Sequence, residues 1–293
     1  MDFLLQANLS CFLLSYLVAL IAEVTQFFRV RTRTLQSVAF VAVLAGLVAH
    51  TAYLVARFQA SGLPPLVGSS HDWLLVLAWL GVVVALVLPF STKSSLGIFV
   101  LPAILVLILL AVSVDASPSN LDHSGADRWW GILHASSLVM GIGLVTAACV
   151  SALMYLLQYR RLQGKLKWVG RLRLPSLERL TGINYWLVLS CFPLLTIGLF
   201  SGFILTSGPP GSGSGPWSDP IVWVTIMVWL MMTANLTLLV QQKDQTGRMV
   251  ARRTLLAGAF LLVMIFGLTF VTGGIHGNSD TNEPATTPLK ESR

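Results

Sequence analysis

Eight stretches of this chain run for about twenty residues each with almost no charge, and no other feature restricts the fold as strongly. They cover about Phe3–Ala22, Ser37–Ala56, Trp73–Phe90, Leu96–Val114, Gly131–Leu157, Asn184–Thr206, Ile221–Val240 and Leu255–Thr272. A helix needs roughly 20 apolar residues to cross about 30 Å of hydrocarbon, so each block reads as one span. Only 11% of residues are charged and 55% are hydrophobic, too little charge to cover a water-facing surface. The expected fold is all-α: a polytopic integral membrane protein of eight transmembrane helices. The third and fourth blocks are separated by Ser91-Thr92-Lys93-Ser94-Ser95, which predicts a tight antiparallel hairpin. Residues 1–277 read as one membrane domain, and residues 278–293 as a polar, exported tail.

The charges set an orientation. If the spans alternate, fifteen of the nineteen Lys and Arg residues fall in loops on the side that holds Arg29, Arg31 and Arg33. The opposite side keeps only Arg57, Arg128, Lys290 and Arg293. Cytoplasmic loops carry the excess of Lys and Arg, so both termini are expected outside. The first block has no positive stretch before it and no small-residue cleavage site after it, the pattern of a retained helix. Acidic residues divide the other way, and Trp73, Trp129, Trp130, Trp217 and Trp223 gather at the outer boundary. An interfacial aromatic belt accounts for tryptophan at both rims. It does not account for this skew.

Several chemistries are excluded. The net charge of +7 sits in short loops rather than on a basic face, so no nucleic acid partner is expected. No Asp or Glu lies within a span as an ion or proton relay would require, Glu23 being at the inner end of the first helix. P-loop, HExxH and GxSxG signatures are absent. Cys11, Cys149 and Cys191 each lie in an apolar block, with no CxxC and no CxxCH, so neither a disulfide framework nor a covalent heme site is encoded.

Histidine remains. His50, His71, His123, His134 and His276 all fall on the outer half or outer surface of the expected topology. His71 and His123 read as loop residues beside Asp72 and Asp122. His50 is different: an imidazole inside LAGLVAHTAYLVA is costly at lipid depth without a partner or ligand. His134 lies one turn inside Trp129-Trp130, and His276 follows Thr272-Gly273-Gly274-Ile275 at the end of the last block. Heme iron accepts neutral imidazoles as axial ligands. The outer segment SGPPGSGSGPWSDPIVW supplies glycines for close approach and Trp217 and Trp223 as flanking rings. The same segment also reads as a Gly/Ser/Pro hairpin with interfacial tryptophans.

Four stretches carry a resemblance: LPSLERLTGINYWLVLSCFPLLTIGLFSGFI, WWGILHASSLVMGIGLVTAACVSALMYLLQ, LVAHTAYLVAR and GGIHG. Together, and in their order along the chain, they resemble the cytochrome c assembly protein family, in particular its CcsA-type and HemX-like membrane proteins. That family's tryptophan-rich heme loop has the form WGxxWxWDPKExW. Here GSGSGPWSDPIVWVTIMVWL aligns Trp217, Asp219, Pro220, Trp223 and Trp229 with it, while Gly and Ser replace the upstream WGxxW and Ile221-Val222 replace Lys-Glu. The resemblance implies b-type, non-covalent heme held at the outer face by His134 and His276 as axial ligands. His50 would be an additional ligand or entry site, and Trp217, Asp219 and Trp223 would contact the porphyrin. It further implies heme delivery in cytochrome c biogenesis at a bacterial inner membrane, with a separate membrane partner bearing an exported domain and with apocytochrome c. Such a chain would be a subunit of a heme-attachment machinery rather than an enzyme alone. The alternative is a HemX-like regulator or scaffold of heme biosynthesis acting through its cytoplasmic loops.

Overall fold

The computed structural model describes residues 2–28, 32–61, 65, 69–92, 97–114, 116, 126–164, 174–206, 220–241 and 247–276. Among them there are eight helices and no strand: α1 (Asp2–Phe28), α2 (Arg33–Ser61), α3 (Ser70–Thr92), α4 (Gly97–Ser113), α5 (Ala126–Leu162), α6 (Leu177–Thr206), α7 (Pro220–Gln241) and α8 (Gly247–His276). Each apolar block of the sequence coincides with one helix, and all the helices but α4 outrun their blocks because their ends continue into polar residues. The longest, α5, has 37 residues and carries Arg160 and Arg161 in its last turn. Leu9–Phe28, Arg33–Ser61, Trp129–Leu162 and Leu177–Leu205 are long and apolar enough to cross a membrane, while Ser70–Leu86 and Gly97–Ser113 form shorter apolar helices. The protein is a multi-pass, all-helical membrane protein. The tail from residue 278 onward lies outside the described residues.

The helices close into two rings of four. In the first, α1 packs on α2 and α4, and α3 packs on the same two helices. In the second, α5 packs on α6 and α8, and α7 closes the ring between them. Contact between α3 and α5 joins the rings. The α3–α4 pairing agrees with the hairpin expected from the five-residue separation, whose residues 93–96 are not described.

Lipid tails are as apolar as leucine, so helix association in a bilayer relies on close packing and on polar groups bonded across helices. Both occur here. In the second ring the Thr254 hydroxyl accepts from Asn184 Nδ2 at 3.2 Å and from Asn235 Nδ2 at 3.1 Å, tying α6 and α7 to α8. In the first ring, Arg57 of α2 forms a two-pronged ion pair with Asp72 of α3, at 2.8 and 3.0 Å. Arg57 also donates to the Ala116 carbonyl at 2.8 Å. The Asp72 side chain is 2% exposed, so the pair is an interior one.

Asp72 and His71 were expected in a polar loop. They instead occupy the first turn of α3, buried. Two interactions hold them there: the Arg57 ion pair, and a histidine with both ring nitrogens engaged. His71 Nδ1 donates to the Ala111 carbonyl of α4 at 2.7 Å, which leaves Nε2 to accept from the Tyr53 hydroxyl of α2 at 3.1 Å. A fully bonded histidine that links three helices explains its burial without a ligand.

Candidate functional site

His134 sits two turns into α5 and faces the far half of α6, where Gly198 and Gly202 stand one turn apart. A Cβ on Gly202 would come within 2.6 Å of the imidazole Cε1 and 2.9 Å of Nδ1. The ring therefore occupies the space that a side chain at position 202 would fill. Its Nδ1 lies 2.8 Å from the Gly198 carbonyl, which also accepts from Ser201 Oγ at 3.0 Å. A carbonyl can only accept, so Nδ1 carries the proton and Nε2 carries the lone pair. No hydrogen bond reaches Nε2 among the described residues. A histidine whose Nδ1–H is bonded to a backbone carbonyl, with the other nitrogen unengaged, is arranged as metal-ligating histidines are.

The path of α8 bears on His276. A Cβ on Gly247 would meet the Tyr155 hydroxyl at 2.7 Å, and a Cβ on Gly258 would fall on the Cys149 sulfur. The start of α8 thus lies beside the end of α5, and the two run antiparallel. Continued along that register, the end of α8 comes level with about residues 126–131. That is one to two turns from His134, on the order of 5–12 Å along the axis. His276 is the last residue of α8. Its imidazole lies outside the described side chains, as do Trp217, Asp219 and His123. Trp223 is described, in the first turn of α7, and is 53% exposed.

His50 belongs to the other ring. It is fully buried, with Phe12 stacked on one face at 4.3 Å and an interplanar angle of 4°. The Tyr16 hydroxyl is 3.4 Å from Nδ1. Nε2 makes no hydrogen bond, although the Leu75 backbone approaches the ring closely enough to interact with it. The candidate residues therefore divide. His134, Trp223 and the end of α8 are in the second ring, and His50 is in the first.

Sequence reading missed the support around these histidines. Phe12 and Tyr16 gave no signal, being aromatic residues in an apolar block. The Gly198-x-x-x-Gly202 spacing did offer one, since small residues four apart mark a face where helices approach closely. Among the described residues, no group of three or more His, Cys, Asp and Glu could hold a bare metal ion.

Two rings of helices, four of the eight long and apolar enough to cross a membrane, define a polytopic all-helical membrane protein, and one ring carries a histidine fixed against glycine. The family model described as Cytochrome C assembly protein matches residues 63–276, from just before α3 to the end of α8. The chain belongs to the cytochrome c assembly protein family. It is 24% identical over 234 residues to "Protein HemX" of Brevibacillus brevis, an alignment covering 78% of this chain and 82% of that one. It is also 24% identical over 248 residues to "Cytochrome c biogenesis protein CcsA" of Guillardia theta, covering 77% and 80%. No solved structure matches. His134 and His276 lie inside the matched family region, and His50, on α2, lies before it. Family membership supports a role in cytochrome c biogenesis and implies heme handling.

Proposed function

We propose that this protein binds b-type heme without a covalent bond at the end of its second helix ring and holds it for cytochrome c biogenesis. The observation that carries this reading is His134: Nδ1 bonded to the Gly198 carbonyl, Nε2 open, ring seated over Gly202. His276 is the second proposed axial ligand, supported by the register that brings the end of α8 level with the start of α5. Trp217 and Asp219, between α6 and α7, and Trp223, in the first turn of α7, are the proposed porphyrin contacts. Bound heme would supply an iron that two imidazoles can saturate. The chain's own task is to orient those imidazoles and to shield the porphyrin from water. His50 is the third candidate ligand. Its unpartnered Nε2 suits the role, and Phe12 must swing aside before a porphyrin reaches it.

The proposed partners are apocytochrome c and a separate membrane protein with an exported domain, and the proposed location is a bacterial inner membrane. The test is the visible spectrum of the protein purified in detergent, alongside Gly202→Ala. The wild type is expected to show a low-spin, six-coordinate heme. The added methyl of the variant displaces His134 and should lower heme per protein at least tenfold, the lower bound of what disturbing a ligand's support costs. A wild type that takes up no heme from any source refutes the reading and leaves the regulator or scaffold of heme biosynthesis. Conversely, Gly202→Ala with unchanged heme content removes His134 from the site.

The heme end is proposed to face outward, with both chain termini on that side. Reporter fusions after Arg33 and after Leu289 should then report opposite sides of the membrane. A fusion after Arg33 that reports the exported side, with one after Leu289 in the cytoplasm, would reverse the proposed face, and two cytoplasmic reports would refute the seven crossings expected between them.

A further inference from the structure

The opposite end of the α5–α8 pair holds a feature that heme binding does not use. The end of α5 and the start of α8 flank an open cavity of about 420 Å³ lined by Leu153, Leu156, Leu157, Tyr159, Arg160, Gln163, Arg248, Arg252 and Leu255, its three arginines exposed. Three of these residues are arginines and none is acidic. The cations stand at the ends of apolar helices, and the leucines begin within a turn of them and continue into the span.

The cavity is built, not incidental. Gly164, in the left-handed region at φ +73°, ends α5, and its N–H bonds to the Arg161 carbonyl at 2.9 Å, so the arm bearing Arg160 and Gln163 stops at a defined place. The start of α8 is seated against Tyr155 and Thr181, close enough that Gly247 has no room for a Cβ. Arg248 lies over the Tyr159 ring at 5.5 Å and meets its hydroxyl at 3.5 Å, and Tyr159 in turn stacks on Tyr155 at 6.5 Å. Arg252 follows one turn on, on the same face of α8. The dipole of α8 adds partial positive charge at its start.

We infer that this cavity is a binding site for one anionic phospholipid, its phosphodiester headgroup between Arg160, Arg248 and Arg252 and its acyl chains along Leu153, Leu156, Leu157 and Leu255. Guanidinium groups match phosphate oxygens geometrically as well as in charge. Basic pockets between membrane helices take anionic headgroups. The apolar floor selects the membrane as the source over a soluble phosphate. It also argues against an acidic protein segment, which would leave the leucines uncovered. A lipid seated here would bridge the last turn of α5 and the first of α8, and so brace the antiparallel register on which the level of His276 depends.

The experiment is thermal unfolding of the full chain in detergent, with dioleoylphosphatidylglycerol, with dioleoylphosphatidylcholine, or with inorganic phosphate alone. Native mass spectrometry of the same samples counts retained lipid. Phosphatidylglycerol should raise Tm and be retained at one molecule per chain, while phosphatidylcholine and inorganic phosphate should do neither. Arg160→Gln with Arg252→Gln should weaken phosphatidylglycerol binding at least tenfold, because each arginine at a membrane surface is worth a factor of about five. Arg33→Gln removes a charge far from the cavity and should leave binding unchanged. Equal stabilisation by both lipids, equal protection by inorganic phosphate, or equal loss in Arg33→Gln each overturns the assignment. Undiminished binding in the double variant does the same. None of these readouts depends on heme.

Discussion

Replacing His134 by glycine is expected to turn a six-coordinate heme spectrum into a five-coordinate one, or to lose the heme on purification. Added imidazole should restore the original spectrum in part, because glycine leaves a ring-sized space over Gly202 beside the Gly198 carbonyl that accepted from the lost ring. A small imidazole entering that space can donate to the same carbonyl and present its other nitrogen where Nε2 stood. His276→Gly should behave alike, though the end of a helix offers a less enclosed space for rescue. The loss should be at least about a hundredfold in heme affinity, since removing a ligand exceeds the 10–100-fold typical of removing only its supporting bond. His123→Gly should leave the spectrum unchanged. His71→Gly should too, but at a cost in Tm, because it breaks the bonds from α3 to both Ala111 and Tyr53. A six-coordinate spectrum that survives in the double His134/His276 variant would move the axial assignment to His50.

The second large effect concerns Arg57 and Asp72. Removing either partner strands the other charge in the interior, a change that costs about 3–5 kcal/mol. Arg57→Ala and Asp72→Ala are each expected to lower Tm by on the order of 10 °C, given a few degrees per kcal/mol for chains of this size. Arg57→Met with Asp72→Leu should lower it much less than the two single changes combined, since apolar replacements of similar volume leave no buried charge behind. Shifts under about 2 °C in both single variants would show that water reaches the pair. Because these residues lie in the first ring, heme content should be retained in the fraction that stays folded.

The fold was legible where the physics is one-dimensional. Bilayer thickness fixes a length and an apolar block either meets it or does not, so eight blocks became eight helices. Positions that depend on neighbours far along the chain were harder to read. Asp72 reads as a loop residue until Arg57, fifteen residues earlier, is placed beside it. His134 was legible as a candidate from its place beside Trp129-Trp130. Its tautomer was not, because the carbonyl that sets it belongs to Gly198, sixty-four residues away. His50 was flagged correctly as a polar group needing company, but Phe12 and Tyr16 look like any aromatic residues in a span. Trp217 and Asp219 remain readings from the sequence, with Trp223 alone of that group among the described side chains.

The ring arrangement also sets an order of events during synthesis. Every helix of the first ring precedes every helix of the second, so the bonds joining Tyr53, His71, Arg57, Asp72 and Ala111 can all close before α5 leaves the ribosome. The face of α5 that carries Cys149 and Tyr155 has no such advantage, because its partner α8 is made last. At 5–20 residues per second, that face waits roughly 4–17 s for Gly247 to appear. During that interval lipid or another membrane protein covers it. An insertase or chaperone that shields α5 would act in that window, and slowing translation between α5 and α8 would lengthen the exposure of the second ring while leaving the first untouched.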